Sequence, residues 1–174
     1  NIDFNTAFLD GSKFEADANK YKFVWKPTKY HQKLSDKIRI ILSKYELSRN
    51  VPETGIIPAT TIADKITKFN NLISNIDISD KSNKEIFKDY EFLKSALIKS
   101  LEYEEKEKIC GPDRNSYYKT DHDATAMCLK RDYYSGLGTN THAAYNTQII
   151  VCKGLIATYY VSQSRSDLKD LIPA

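Results

Sequence analysis

In the stretch Thr6-Ala7-Phe8-Leu9-Asp10-Gly11-Ser12-Lys13-Phe14-Glu15-Ala16, an apolar run meets Asp10-Gly11 and resumes at Phe14. That pattern predicts a β-strand. Strands tolerate Asp poorly, and a carboxylate inside an otherwise apolar strand is costly to bury unless it is paired or holds a metal. Gly11 beside it would let a backbone or a ligand approach closely. Asp10 is therefore the first candidate for chemistry, with a strand-edge Asp facing solvent as the plain alternative.

Working outward, the period changes after Trp25-Lys26-Pro27. Leu34, Ile38, Ile41, Leu42 and Tyr45 recur at helical spacing until Val51-Pro52 and Gly55 interrupt them. A second helical pattern follows Pro58, with Ile62, Ile66, Phe69 and Ile73 on one side. A third is predicted after Asp77 to Asn83, where Ser82 and Glu85 have capping-box spacing. Its stripe is Ile86, Tyr90, Leu93, Leu97 and Leu101, and the Lys-Glu alternation of 102–108 reads as a solvated face. Residues from about 30 to 110 thus form a helical insertion.

Beyond it, Tyr145 to Cys152 and Leu155 to Val161 are β-rich runs joined by Lys153-Gly154, which predicts a hairpin. Ser166 then caps a predicted helix over Asp167 to Ile172, stopped by Pro173. The order is strand, helical block, hairpin, helix, an α+β arrangement.

The chain has 174 residues, enough for one domain or part of one. Its 41% hydrophobic and 28% charged residues are the balance of a globular protein rather than a disordered one. No run approaches the roughly 18 apolar residues of a membrane span, and Asn1-Ile2-Asp3-Phe4-Asn5 does not read as a signal peptide. We therefore expect a cytoplasmic protein without a membrane partner. A start at Asn1, directly before a strand, suggests a fragment. The net charge of +3 does not by itself demand a nucleic-acid partner. Cys110, Cys128 and Cys152 are odd in number and never spaced as Cys-x-x-Cys, so they read as reduced thiols.

Other residues carry weaker signals. Asp121-His122-Asp123 looks like a metal cluster, but Thr120 and Asp123 have capping-box spacing for a helix through Met127 and Leu129, which is the better reading. His31 and His142 are isolated, and Gly136-Leu137-Gly138 is a loop rather than a dinucleotide fingerprint. Lys130, Arg131, Tyr133 and Tyr134 mix cations with aromatic rings. They could touch a DNA backbone or stack on a base, or simply form a solvated helix end, and both readings stand.

The stretch from Phe8-Leu9-Asp10-Gly11-Ser12-Lys13 to Asn19-Lys20-Tyr21 resembles the first catalytic segment of DDE transposases encoded by bacterial insertion sequences. Lys119-Thr120-Asp121-His122-Asp123-Ala124 is similar to the family's Thr-Asp-Pro-Asp-Ala box, with His122 where Pro is usual, and Ala143-Ala144-Tyr145-Asn146-Thr147-Gln148 follows it. The resemblance spans nearly the whole chain. It implies part of a ribonuclease-H-like fold over 1–174: an antiparallel three-stranded unit with the helical insertion between strands one and two, and a first layer helix beginning at Ser166. It also implies metal-dependent DNA strand cleavage and transfer. Asp10 would be the first ligand to Mg²⁺ or Mn²⁺, and the ends of the insertion sequence and its target would be the DNA partners. Lys13, Lys130, Arg131, Tyr133 and Tyr134 are the candidate DNA contacts. The second Asp and the final Glu are expected beyond Ala174, so the chain alone is expected to be inactive. The alternative is a non-enzymatic module that binds DNA or self-associates.

Overall fold

A computed structural model describes residues 6–74, 76, 83–136 and 140–170. The chain divides into two compact units, one formed by 1–25 with 109–174 and the other by 26–108.

In the second unit, α1 (Thr28–Lys44), α2 (Ala59–Ile73) and α3 (Lys84–Cys110) follow one another, with α3 belonging to it as far as Lys108. Prolines stand at two of the starts. Pro27 O accepts from the Tyr30 and His31 amides, and Pro58 O from the Ile62 amide. Neither start has a cap from its own side chain. At α2 the donor is met from α3 instead, where Glu104 Oε1 accepts from the Ala59 amide at 2.7 Å. A carboxylate at a helix N-terminus is also favoured by the helix dipole. The expected capping box pairs Glu85 with Ser82, so it falls outside what the described residues test. The Glu85 carboxylate meets Lys44 Nζ at 2.5 Å.

The expected apolar stripes build this unit's core. Ile38 and Leu42 of α1, Ile62 and Phe69 of α2, and Leu93 of α3 are fully buried, joined by Ile57 and Ala96. Tyr45 meets the Phe69 ring edge-on and Tyr90 stacks on it, with centroids at 4.7 and 5.7 Å. The last part of the α3 expectation needs correction. A helix with 3.6 residues per turn drifts off a strict three-four spacing, so Leu101 is 54% exposed and Ser100 is buried in its place. The same drift brings in Tyr103 and Glu107, which meet buried His31. Glu104 and Glu107 therefore belong to internal contacts, while Glu102 pairs with Lys106 along the helix, as a solvated face would.

The first unit is built on antiparallel strands. β1 (Phe8–Glu15) pairs with β5 (His142–Cys152) from Phe8 opposite Val151 to Glu15 opposite Ala144. β6 (Leu155–Ser162) pairs with β5 from Leu155 opposite Cys152 to Ser162 opposite Asn146. Ala144 pairs with both Glu15 and Thr125, so β4 (Thr125–Met127) must lie on the edge of β5 away from β1. It therefore continues the β6 edge, end to end. A separate ribbon joins β2 (Phe23–Trp25) to β3 (Ser116–Tyr118). The hairpin turn is as expected. Lys153 and Gly154 have φ of 48° and 78°, the left-handed pair of a type I′ turn that matches strand twist.

Two expected helix starts are corrected here. Residues 120–124 start no helix and lead into β4. Asp121 Oδ1 accepts from the Asp123 and Ala124 amides at 3.1 and 3.2 Å, a local turn by an Asp side chain that competes with helix formation. Thr120 Oγ1 accepts from the Asn19 amide instead of capping. Ser166 makes no cap to the residues after it, and only a 3₁₀ turn, Asp167–Lys169, follows among the described residues. Ile172, Pro173, Leu137 and Gly138 lie outside them. Among the described helices none is long and apolar enough to cross a membrane.

Phe69→Ala removes the ring on which Tyr45 and Tyr90 converge, so it should lower unfolding free energy by about 3–5 kcal/mol. Urea unfolding followed by circular dichroism checks this, and a loss below about 1 kcal/mol would place the core elsewhere.

Candidate functional site

Side chains alternate across a sheet, so the register assigns β1 and β5 residues to faces. Phe8, Asp10, Ser12 and Phe14 share one face with Tyr145, Thr147, Ile149 and Val151. Gly11, Lys13 and Glu15 share the other with Ala144, Asn146 and Gln148. Asp10 is exposed, opposite Ile149. Its face also carries the exposed Phe8, Phe14, Ile156, Tyr159 and Val161. No group of three metal-binding side chains occurs among the described residues. Asp10 therefore has an oxygen donor's chemistry but not a completed donor set, and a lone carboxylate does not fit a Mg²⁺ site.

The opposite face holds two polar networks. In the first, α4 (Lys130–Tyr134) supplies its side chains to the end of β1. Lys130 Nζ donates to Gly11 O at 3.4 Å and Arg131 to Glu15 Oε2 at 2.5 Å. His142, 7% exposed, places Nδ1 2.7 Å from Glu15 Oε1. Its Nε2 faces Asn140 Nδ2 at 3.2 Å and Asp132 Oδ2 at 3.1 Å. With neutral imidazole, Nδ1–H donates to Glu15 while Nε2 accepts from Asn140. The hydrogen bond from His142, then that from Arg131, holds the Glu15 carboxyl below its ordinary range.

In the second network, both amide hydrogens of buried Asn146 are used. Nδ2 donates to Asp167 Oδ1 at 2.9 Å and to Asp170 Oδ2 at 3.0 Å. Gln148 Nε2 adds a bond to Asp167 Oδ1 at 3.0 Å, and Ser162 Oγ one to Asp170 Oδ1 at 2.7 Å. Gly11 makes this possible. A Cβ there would lie 2.8 Å from Gln148 Nε2 and 2.9 Å from the Asp167 carboxyl carbon. Gly11 does admit a close approach, but of the Gln148 and Asp167 side chains rather than of a backbone or a ligand, and on the face away from Asp10.

A third contact ties the Asp121 turn to the sheet. Tyr145 donates to Asp121 Oδ2 at 2.6 Å. Burial works against ionising Asp121, but the Tyr145 hydroxyl and the Ala124 and Asp123 amides outweigh it and hold the carboxyl low. Burial, then the bond to Asp121, pushes the Tyr145 phenol up to about 12. Neither Asp121 nor Asp123 approaches a metal geometry; Asp123 instead accepts from Gln163.

The structure thus brings Lys13, Lys130 and Arg131 to one face of β1, with Arg131 occupied by Glu15. Tyr133 and Tyr134, 73% and 84% exposed, extend from the same short helix. His142, read as isolated, is instead the joint of the first network. Its partners Glu15 and Asp132 stand 127 and 10 positions away, so no local spacing announces them. Asn146, Asp167 and Asp170 were equally silent, being polar residues whose roles depend on a strand register. No protein-family model, curated protein or solved structure matches the chain.

Gly11→Ala should cost about 1–3 kcal/mol by forcing Asp167 off its amide donors, read as a lower urea midpoint at unchanged slope. The Glu15 prediction concerns pH. A carboxyl depressed on folding stabilises above its unfolded value, near about 4.3, and loses that contribution as pH falls through the folded value. The melting-temperature advantage of the native chain over Glu15→Gln should therefore shrink as pH drops from about 6 to about 2. A constant difference would assign Glu15 no such role.

Proposed function

We propose that the chain is part of a DDE-type DNA transposase, with Asp10 as one of three carboxylates for metal-dependent DNA cleavage and strand transfer. The observation that carries this reading is the pairing of β1 with β5 and β5 with β6 in an antiparallel unit, with 26–108 inserted between its first and second strands. That is the order the resemblance implies for a ribonuclease-H-like domain, and Asp10 stands on the first strand. Two-ion catalysis needs carboxylates that bridge both ions. No such group of three forms around Asp10 among the described residues, and the resemblance implies the other two on a later strand and helix. Mg²⁺ or Mn²⁺ is the cofactor of that completed set.

DNA is the partner in this reading, approached through Lys13 and Lys130 with Tyr133 and Tyr134 beside them. A second reading, self-association, is favoured by the exposed apolar face of the sheet and by the outer edges of β1 and β6, which have no partner strand among the described residues.

Two measurements test the transposase reading. In a protein carrying all three carboxylates, Asp10→Asn should abolish Mg²⁺-dependent cleavage of DNA bearing the element's ends while leaving DNA binding intact; retained cleavage would overturn the role of Asp10. For duplex binding by the present chain, Lys13→Ala with Lys130→Ala should reduce the log-log salt slope by about 2, since each phosphate contact contributes about 0.9. An unchanged slope would remove these lysines from the DNA interface.

A further inference from the structure

Where β6 ends and β4 takes over the same edge of β5, the first unit opens into a cleft of about 820 Å³. Its walls come from the end of α3 and the turn after it, from Thr125 of β4, and from the run Tyr160 to Ser166 with Lys169 and Asp170. Neither Asp10 nor any residue of α4 lines it. The volume falls within the range that holds small organic ligands, roughly 300–1,000 Å³.

The charged groups lining it are not equivalent. Asp170 is 3% exposed, and both its oxygens are taken by Asn146 and Ser162. Arg114 is likewise occupied, donating to the Ile109, Cys110 and His122 carbonyls. Arg165 and Lys169 are exposed, and neither side chain has a carboxylate partner among the described residues. Against these two cations only Asp113 remains as an unengaged lining carboxylate among the described residues.

A second observation is independent of charge. Thr125 is 5% exposed, and its hydroxyl oxygen is buried with no hydrogen-bond partner among the described residues. A buried hydroxyl without a partner is rare, because it has lost its water and gained nothing in return. Thr125 lines this cleft, so a ligand oxygen there would supply what the protein does not. Tyr160, partly exposed on the same wall, offers an aromatic face.

We propose that this cleft is a phosphate-binding site, with Arg165 and Lys169 receiving the phosphate oxygens, the Thr125 hydroxyl donating to the ligand, and Tyr160 flanking the ligand's body. Cations that chelate phosphate together with a hydroxyl donor make charge-assisted bonds. The phosphate belongs either to a nucleic-acid strand or to a small nucleotide, since both present the same group. The site needs neither Asp10 nor a divalent ion, so it stands or falls separately from the transposase reading.

The test uses the whole chain in EDTA. Pyrophosphate titrated into isotopically labelled protein should shift the amide signals of Thr125 and of residues 160–170, with saturation, and leave those of β1 unmoved. Shifts spread over all lysine-bearing surfaces, or none, would overturn the proposal. Arg165→Gln with Lys169→Gln, both on exposed positions, should weaken pyrophosphate binding at least ten-fold. Thr125→Val should weaken it several-fold, with Thr125→Ser restoring it. Equal binding by the double variant would also overturn it. Adenosine monophosphate and a short single-stranded oligonucleotide then identify the source: displacement of pyrophosphate by the oligonucleotide alone marks a strand site, and displacement by the mononucleotide marks a nucleotide site. Failure of both to compete would overturn the ligand class.

Discussion

β5 is the strand on which the sheet unit depends, because among the described residues it alone is paired along both edges. On one side it holds β1 over eight registered positions; on the other it holds β6 and then β4. Side chains alternate with a period of two, so a slip of one residue would move every side chain to the opposite face. Asn146 and Gln148 would leave Asp167 and Asp170, and His142 would leave Glu15. The register of one strand therefore fixes both polar networks, the position of α4 on β1, and the face on which Asp10 is displayed.

The two faces divide the labour. The Asp10 face is apolar and largely open toward Phe8, Ile156 and Tyr159, so a carboxylate there meets little competition from neighbouring charges. The other face is consumed by internal hydrogen bonds, in which carboxylates are met by amides and imidazole rather than left exposed to one another. Gly11 links the faces: its missing side chain admits Asp167 on one side, while its neighbour Asp10 points to the other. Gly11 thus has a structural cause beside Asp10, and Asp10 is set apart by its place on the first strand.

The helical unit follows a simpler logic. Its stripes of Ile, Leu and Phe form the core they foretell. The departure is at the far end of α3, where the helical drift turns Leu101 outward and brings Ser100, Glu104 and Glu107 inward. There polar side chains satisfy the start of α2 and a buried histidine. A run of lysine and glutamate is ambiguous by composition, since the same residues serve a wet face or an internal cap according to what stands opposite.

Local information determined the parts of this protein that local forces shape. Three amphipathic helices with prolines at two starts, the first strand, and the Lys153-Gly154 hairpin were all legible, because 3.6-residue periodicity, alternation and turn chemistry act over a few neighbouring positions. The short strands β2, β3 and β4 were not, since three residues carry no period and exist as strands only through their partners. Asp121 illustrates the limit: its spacing suits a helix cap, yet the turn it makes leads into β4, and Tyr145 from another strand completes it. The union of Glu15 with His142, and of Asn146 with Asp170, was decided by tertiary structure alone. Hydrogen bonds between residues far apart in the chain depend on register and docking, which no local pattern encodes.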